Sequence, residues 1–399
     1  MRREWDAPGV VAEGELAGVP APVVELVRAS RLLGGDEFLV LHGGGNSSAK
    51  QGRRLWVKAS GHDMGSIGPA GLPAVDRDAL DALMEREELS DTEMIEGYRA
   101  ALLDPSAPSP TIEAVVHNLV PEAFVLHTHA DAIVTLTNTP CWEALVREAL
   151  GGEVLLAPFL MPGFGLAVHL GRELAAREGL PRAIVLRHHG LFTWGATARE
   201  AFELHLELVE RAEALVRERT GVVFAEDEDE RSVWSTEEDA PAALRELVER
   251  ASAYLGAPAV GLATTSPQVE AFLARPDLAE VTQRGTASLE HVIHTKRVPL
   301  LGTDLEAFAS EYRAYVAEHR ARANGPVTEL DPMPRVALVE GLGLVALAPN
   351  EKRARVARDI YRHTMRVIEA AEALGGYETV TPAQAFDIEY WELEQAKLR

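Results

Sequence analysis

An α/β fold in two domains is what this sequence leads us to expect, and three observations set that expectation. The first is length: 399 residues exceed what one compact core usually organises. The second is rhythm, since short apolar runs ending in glycine alternate along the chain with stretches of helical period. The third is a composition shift at Ala225–Ala240 (AEDEDERSVWSTEEDA), whose crowded acidic side chains would repel one another in any packed face. That segment reads as a solvated linker and divides the chain into residues 1–224, 225–240 and 241–399.

Glu37–His42 (EFLVLH) reads as a strand ending at Gly43-Gly44-Gly45-Asn46. Arg54–Ala59 (RLWVKA) alternates like a half-buried strand and ends at Ser60-Gly61. Asp76 to Leu103 is rich in helix formers and closes at Asp104-Pro105. Strand signals follow at Ala123–Leu126, Val154–Ala157 and Ala183–Arg187, with a helix over about Leu166–Glu178 between the last two. A long helix starts at Thr197, whose spacing to Glu200 is that of a capping box, and its apolar positions Ala201, Leu204, Leu208, Ala212 and Leu215 share one face. Past the acidic segment, structured stretches resume near Ala242, and Glu351–Leu374 is another long helix stopping at Gly375-Gly376.

The halves resemble each other in part. Arg182–Ala201 (RAIVLRHHGLFTWGATAREA) aligns without gaps to Arg335–Ala354 (RVALVEGLGLVALAPNEKRA), each reading as strand, Gly-Leu, strand and capped helix. Upstream, Ser109–Ala114 (SPTIEA) resembles Ser266–Ala271 (SPQVEA), and a Pro-acidic pair follows each. Two readings stand: a degenerate second copy of the first domain, or the recurrence of strand–glycine–helix patterns that any α/β chain shows.

Composition bounds the function. Charged residues at 25% and apolar residues at 47% exclude a disordered tail or a fibre. A formal net charge of −23 repels phosphate backbones and anionic lipid, so neither nucleic acid nor a membrane surface is expected as a partner. A small anionic substrate remains admissible, because a local nest of amides can overrule the global field. With Cys141 the only cysteine, no disulfide framework and no cysteine-based metal site is expected. The opening MRREWDAPGV has no apolar region after its arginines, and no apolar run reaches the ~18 residues of a membrane span, so a cytoplasmic protein is expected.

The strongest chemical signal is His127-Thr128-His129. On a strand, side chains i and i+2 share a face, so both imidazoles can reach one ion, or the pattern is incidental. An open catalytic zinc site wants about three protein ligands, and Arg187-His188-His189-Gly190 offers a third histidine at another strand end. Gly43-Gly44-Gly45-Asn46-Ser47-Ser48 and Ser60-Gly61-His62-Asp63-Met64-Gly65 follow strands and read either as anion-binding nests or as tight turns. Neither is a P-loop, since no Gly-Lys-Ser/Thr follows. Glu113 sits at a helix start, where it favours the dipole or serves as a general base.

The ordered set GGGNSS, KASGHDMG, SPTIEAVVH, FVLHTHADA and LRHHGLFTWG resembles the class II (zinc-dependent) aldolase/adducin family of sugar-phosphate aldolases and epimerases, over about residues 25–220. The remainder, with RGTASLEHVIHTKR, DPMPRVALVEGLGL and FDIEYWELEQAKL, resembles the aldolase half of fused rhamnulose-1-phosphate aldolase/dehydrogenase proteins. As the chain ends at Arg399, the dehydrogenase half is expected to be absent. The resemblance implies a three-layer αβα domain with a central, largely antiparallel sheet, followed by a second α/β domain. It implies His127, His129 and His189 as ligands of zinc, with another divalent metal as the alternative, and Glu113 as the catalytic residue. Asn46, Ser60, Gly61 and Thr111 match positions that hold the substrate phosphate. A homo-oligomer with a small phosphorylated sugar as substrate is implied too.

The chemistry so implied is coherent. Zinc acts as a Lewis acid on the ketose oxygens and stabilises the enediolate left when C3–C4 breaks, while the glutamate shuttles the proton. The expected activity is cleavage of a ketose 1-phosphate, L-rhamnulose 1-phosphate first, to dihydroxyacetone phosphate and lactaldehyde. A 4-epimerase, a dehydratase and a non-catalytic adducin-like module are the alternatives. Two positions depart from the pattern: Ile112 stands where relatives commonly have a second hydroxyl, and no tyrosine occurs between Tyr98 and Tyr254. In the second half, Leu342 stands opposite His189, and Thr282 and Arg284 are placed near the HxH counterpart. Gly341–Ala346 (GLGLVA) fits GxGxxA, but the helix begins only near Asn350, so a dinucleotide fold is set aside.

Overall fold

Glycines with positive φ at positions 43 and 45 turn the chain into β1 (Asn46–Gln51). β1 folds back on β2 (Arg54–Val57), which pairs with β3 (Ala74–Asp76). On its other side β1 pairs with β4 (Phe124–Thr128). Beyond it come β5 (Val154–Ala157), β6 (Ala183–Leu186) and β7 (Gly190–Gly195), giving the order β3-β2-β1-β4-β7-β6-β5. Every pair is antiparallel except β5–β6.

Adjacent residues on β1 point to opposite faces, and both faces are covered. Ser47 Oγ meets Ser30 Oγ of the helix Ala21–Gly34 at 2.6 Å. On that same face His205, from the helix Ala198–Thr220, bridges Thr128 (2.7 Å) and Thr193 (2.8 Å) and so ties β4 to β7. Ser48 Oγ points the other way and meets His117 of the helix Ala114–Leu119 at 2.8 Å. The result is the expected three-layer architecture around a largely antiparallel sheet.

This computed structural model describes residues 4–12, 14–323 and 327–395. The last residues of the FDIEYWELEQAKL motif, from 396 on, lie outside them, as do the first three of the N-terminus. The chain divides into two units, residues 1–137 with 142–215, and residues 138–141 with 216–399. In the second, β8 (Arg231–Trp234), β9 (Val260–Thr265), β10 (Leu300–Leu301), β11 (Val336–Val339) and β12 (Gly343–Ala348) form a sheet of order β10-β11-β12-β9-β8. Its core joins Leu244, Leu247 and Val248 to Phe308, Tyr312, Val345 and Leu347.

The second sheet repeats the first strand for strand. β5-β6-β7-β4-β1 and β10-β11-β12-β9-β8 share chain order, sheet order and orientation, with one parallel pair, β5–β6 or β10–β11, in the same place. Register agrees: Leu186 pairs with Gly190 as Val339 pairs with Gly343. A Cβ on Gly190 would fall 2.2 Å from Thr128 O, and one on Gly343 would fall 2.3 Å from Thr264 O. The helices that follow, Ala198–Thr220 and Glu351–Ala373, are each 23 residues long. The β2–β3 hairpin has no counterpart among the described residues.

Five expectations need correction. Glu37–His42 is a turn with Leu39 and Val40 buried, and His42 adopts a positive φ that prevents an extended run. Asp76–Leu103 is two helices, Arg77–Met84 and Asp91–Ala100, because Ser90 and Glu93 form a capping box that starts the second afresh. Ser266-Pro267 follows β9, whereas Ser109-Pro110 precedes β4, so that sequence match is not topological. The counterparts of His127 and His129 are Ala263 and Thr265, fixed by pairing to β12, and not Thr282 and Arg284. The acidic segment is no bare linker either: Arg231–Trp234 is β8, Asp227 pairs with Arg366, and Glu230 pairs with Arg358 and with Arg362 at 2.6 Å. Three arginines one helical turn apart neutralise the charge that otherwise keeps such a run in solvent.

Candidate active site

Strand alternation puts His127 and Asn46, opposite each other on β4 and β1, in one cross-strand row with Phe192 of β7. Phe192 stacks on the His127 ring at 3.9 Å between centroids. His129 extends the row past the end of β4. The three residues joining β6 to β7 supply His188 and His189, with His188 in the left-handed region (φ 57). His188 is buried, and burial, with a smaller push from Arg187, brings its imidazole down to about 3.

His127 Nε2 lies 2.9 Å from His129 Nε2 and 3.4 Å from His189 Nε2. The three histidines can offer ligand atoms within 4.8 Å of one another. His127 Nδ1 lies 3.1 Å from Leu191 O, an acceptor, so this contact puts the proton on Nδ1 and leaves the Nε2 lone pair toward the cluster. Nitrogens at ~2.0–2.1 Å around a tetrahedral ion of zinc's size stand about 3.3 Å apart, a value that the His127–His129 and His127–His189 distances bracket. The cluster has the capacity for a divalent metal.

Glu113 is the N-cap of the helix Ala114–Leu119, yet its carboxylate does not cap that helix. It turns inward, only 3% exposed, with Oε2 3.5 Å from His127 Nε2 and Oε1 3.8 Å from His189 Nε2. Asn46 Nδ2 donates to Oε2 at 2.7 Å, whereas Oε1 accepts no hydrogen bond among the described residues. The backbone leading into Glu113 is pinned by Tyr98, whose hydroxyl donates to Ile112 O at 3.0 Å.

The remaining sequence candidates gather on the Glu113 side. Thr111 Oγ1 accepts from Asn46 Nδ2 at 3.3 Å. Ser60 N donates to Ser109 O and Thr111 N to Lys58 O, which holds the exposed turn of Ser60 and Gly61 beside Thr111. Lys58 Nζ donates to Gly43 O at 3.0 Å and fixes the glycine loop against the same turn. Gly45 has no room for a side chain, since a Cβ there would fall 2.7 Å from His127 O. Sequence reasoning missed His117, Tyr98 and His205. Of these only His117 left a signal, four residues after Glu113 and therefore on the same helical face.

Comparison with known proteins agrees with this geometry. Residues 24–216 match the family described as class II aldolase and adducin N-terminal domain, and residues 235–398 match the aldolase class II second domain. The Bacillus subtilis protein named uncharacterized oxidoreductase YuxG is 26% identical over 438 residues, 100% of this chain and 60% of its own. The 5-methylthioribulose-1-phosphate/5-deoxyribulose-1-phosphate aldolase of Rhodospirillum rubrum is 33% identical over 107 residues, 27% of this chain and 44% of its own. This chain thus spans less than two thirds of either curated relative's length. Among solved structures, the N-terminal class II aldolase domain of a conserved Thermoplasma acidophilum protein is 36% identical, covering 49% of this chain and 94% of that one at a TM-score of 0.46. No helix among the described residues is long and apolar enough to cross a membrane. With both of its halves matched in order, the chain belongs to the class II aldolase/adducin family.

Proposed function

We propose that this chain is a metal-dependent aldolase cleaving a ketose 1-phosphate between C3 and C4, with L-rhamnulose 1-phosphate as first candidate and dihydroxyacetone phosphate and lactaldehyde as products. The observation that carries this reading is the buried Glu113 carboxylate, one oxygen held by Asn46 and the other without a donor among the described residues, facing three convergent imidazoles. When bound there, a divalent ion, zinc first among candidates, supplies Lewis-acid polarisation of the substrate's oxygens. His127, His129 and His189 are its proposed ligands. Cleavage removes the C4 hydroxyl proton, breaks C3–C4 and returns one proton to C3, so atoms balance without a further reactant. Glu113 carries the proton at C3 through Oε1. Thr111, the Ser60 hydroxyl and the Gly61 amide hold the phosphate, while the Asn46 side chain is engaged with Glu113 and Thr111.

The Rhodospirillum rubrum relative supports a second reading of the same site, in which the ketose is a 5-deoxypentulose 1-phosphate. The likeness of the whole chain to a longer protein named an oxidoreductase supports passing the aldehyde product to a dehydrogenase. The deciding experiment is elemental analysis before and after chelation, with product analysis on both sugar phosphates. About one zinc per chain, with cleavage lost on chelation and restored by metal, is expected. An epimer or a dehydrated product in place of two fragments would move the reaction to the family's epimerases or dehydratases. A protein that takes up no metal would overturn the catalytic reading in favour of an interaction module.

A further inference from the structure

We infer that His117 is a positioning residue: through Asn46 it aims and fixes the carboxylate of Glu113. The inference rests on Glu113 as the base in the reading above, and the geometry fixes every proton in the chain that leads to it. The Glu113 carboxylate only accepts, so Asn46 must present its NH2 to Oε2, at 2.7 Å. The other amide hydrogen goes to Thr111 Oγ1 at 3.3 Å. Asn46 Oδ1 therefore faces His117 Nε2, with which it makes a short hydrogen bond, and Nε2 must carry the proton. His117 Nδ1 is then an acceptor, and Ser48 Oγ donates to it at 2.8 Å.

The relay runs one way, from Ser48 through His117 and Asn46 to Glu113, and all four side chains are buried. Complete burial holds the His117 imidazole well below its ordinary value, with Lys50 adding to the effect, so the ring stays neutral and keeps one donor and one acceptor. Phe192 packs edge-on against it at 5.6 Å, which fixes its plane. Each donor polarises the next, so the chain strengthens the last bond on Oε2. Were the Asn46 amide to flip, its carbonyl would face the carboxylate, and Glu113 would lose both its donor and its aim. The relay leaves Oε1, the oxygen nearer His189, for the reacting proton.

Two substitutions separate the halves of the ring. His117→Asn keeps an acceptor for Ser48 but reaches no donor to Asn46, whereas His117→Gln extends an amide N–H to where Nε2 stood. Two-bond 1H–15N spectra of the zinc-loaded protein should show wild-type His117 as the neutral Nε2–H tautomer. The Asn46 side-chain amide should be protected from exchange in wild type and in His117→Gln, and unprotected in His117→Asn. With L-rhamnulose 1-phosphate, His117→Asn should lose about 10–100-fold in kcat at unchanged KM and metal content, the range for partners one bond removed from a reacting group. His117→Gln should recover most of that loss. Should His117→Asn fail to fold, Ser48→Ala replaces it: His117 should keep the Nε2–H tautomer, because Asn46 Oδ1 alone dictates it, and a shift to Nδ1–H would overturn the inference.

A charged or Nδ1–H His117 in wild type overturns the inference, as does a His117→Asn protein with a protected Asn46 amide and wild-type kcat. If the wild type cleaves no ketose 1-phosphate, the proposed function falls, and the tautomer and amide spectra decide the relay on their own.

Discussion

Gly190→Ala tests whether the close approach of β4 and β7 sets the metal geometry. The added Cβ would lie 2.2 Å from Thr128 O, 3.0 Å from His129 Cδ2 and 3.1 Å from His127 Cε1. The nearest obstacle is backbone, so no rotamer change relieves it, and the strands must part by about 1 Å to reach ordinary contact. The His205 bridge between Thr128 and Thr193 resists that parting. Overpacking of this kind costs about 1–3 kcal/mol. It also carries His127, on β4, and His129, just past its end, away from His189, which precedes β7, well beyond the ~0.2 Å tolerance of a metal–ligand distance. We expect zinc affinity to fall by about 100-fold or more, measured by competition with a chromogenic chelator alongside a denaturant melt. The control is internal. Gly343→Ala meets Thr264 O at 2.3 Å from a residue at φ +82, so it should destabilise at least as much while zinc affinity stays at the wild-type value. Equal zinc affinity in Gly190→Ala and wild type, or equal loss in both variants, would refute the reasoning.

Further outcomes follow from the same geometry. His127→Ala and His189→Ala should each lose tight metal binding by equilibrium dialysis, whereas Glu113→Gln should keep the metal and lose about 10²–10⁴-fold in turnover. Metal stoichiometry should saturate near one per chain, because Ala263, Thr265 and Leu342 occupy the ligand positions of the second sheet. Lys50 provides a pH test. It is buried, and its Nζ donates to Glu122 O at 2.9 Å. Burial, with Arg77 adding to it, brings the ammonium down to about 7 from 10.5. Between these values the unfolded chain holds a proton that the native state has released, so stability rises with pH across the window and the penalty is full at pH 7 and below. Lys50→Met should therefore be more stable than wild type by about 2–4 kcal/mol at pH 7 in urea melts, with the gap closing toward pH 10.5. A gap that does not change with pH would show that Lys50 is charged in the native state.

The parts of the fold legible in the sequence were those whose signals are local. β5 and β6 are continuous apolar runs, β4 opens with one at Phe124–Leu126, and the Thr197–Glu200 box caps its helix as the spacing required. β1 (NSSAKQ) was not read as a strand, because it is polar and almost wholly buried. Its side chains are satisfied by partners far along the chain: Ser30, His117, Glu113 and the carbonyl of Glu122. Hydrophobic periodicity is blind to such a strand, and the same long-range bonding hid the role of His117. Conversely, the apolar run Glu37–His42 reported burial correctly but not conformation. The acidic segment misled for a third reason, since its charge is cancelled by arginines more than a hundred residues away.

The repeated sheet says something about which constraint is older in kind, folding or chemistry. Gly343 keeps the same close approach to Thr264 that Gly190 keeps to Thr128, yet Ala263, Thr265 and Leu342 stand where the first sheet has its imidazoles. The glycine is therefore a requirement of strand assembly that ligation merely exploits. A frame relieved of ligation is also one on which ligation can be written afresh. Ala263→His, Thr265→His and Leu342→His together ask whether three side chains on an unaltered scaffold suffice to give a second ion-binding centre, and so separate what a site owes to its residues from what it owes to its fold.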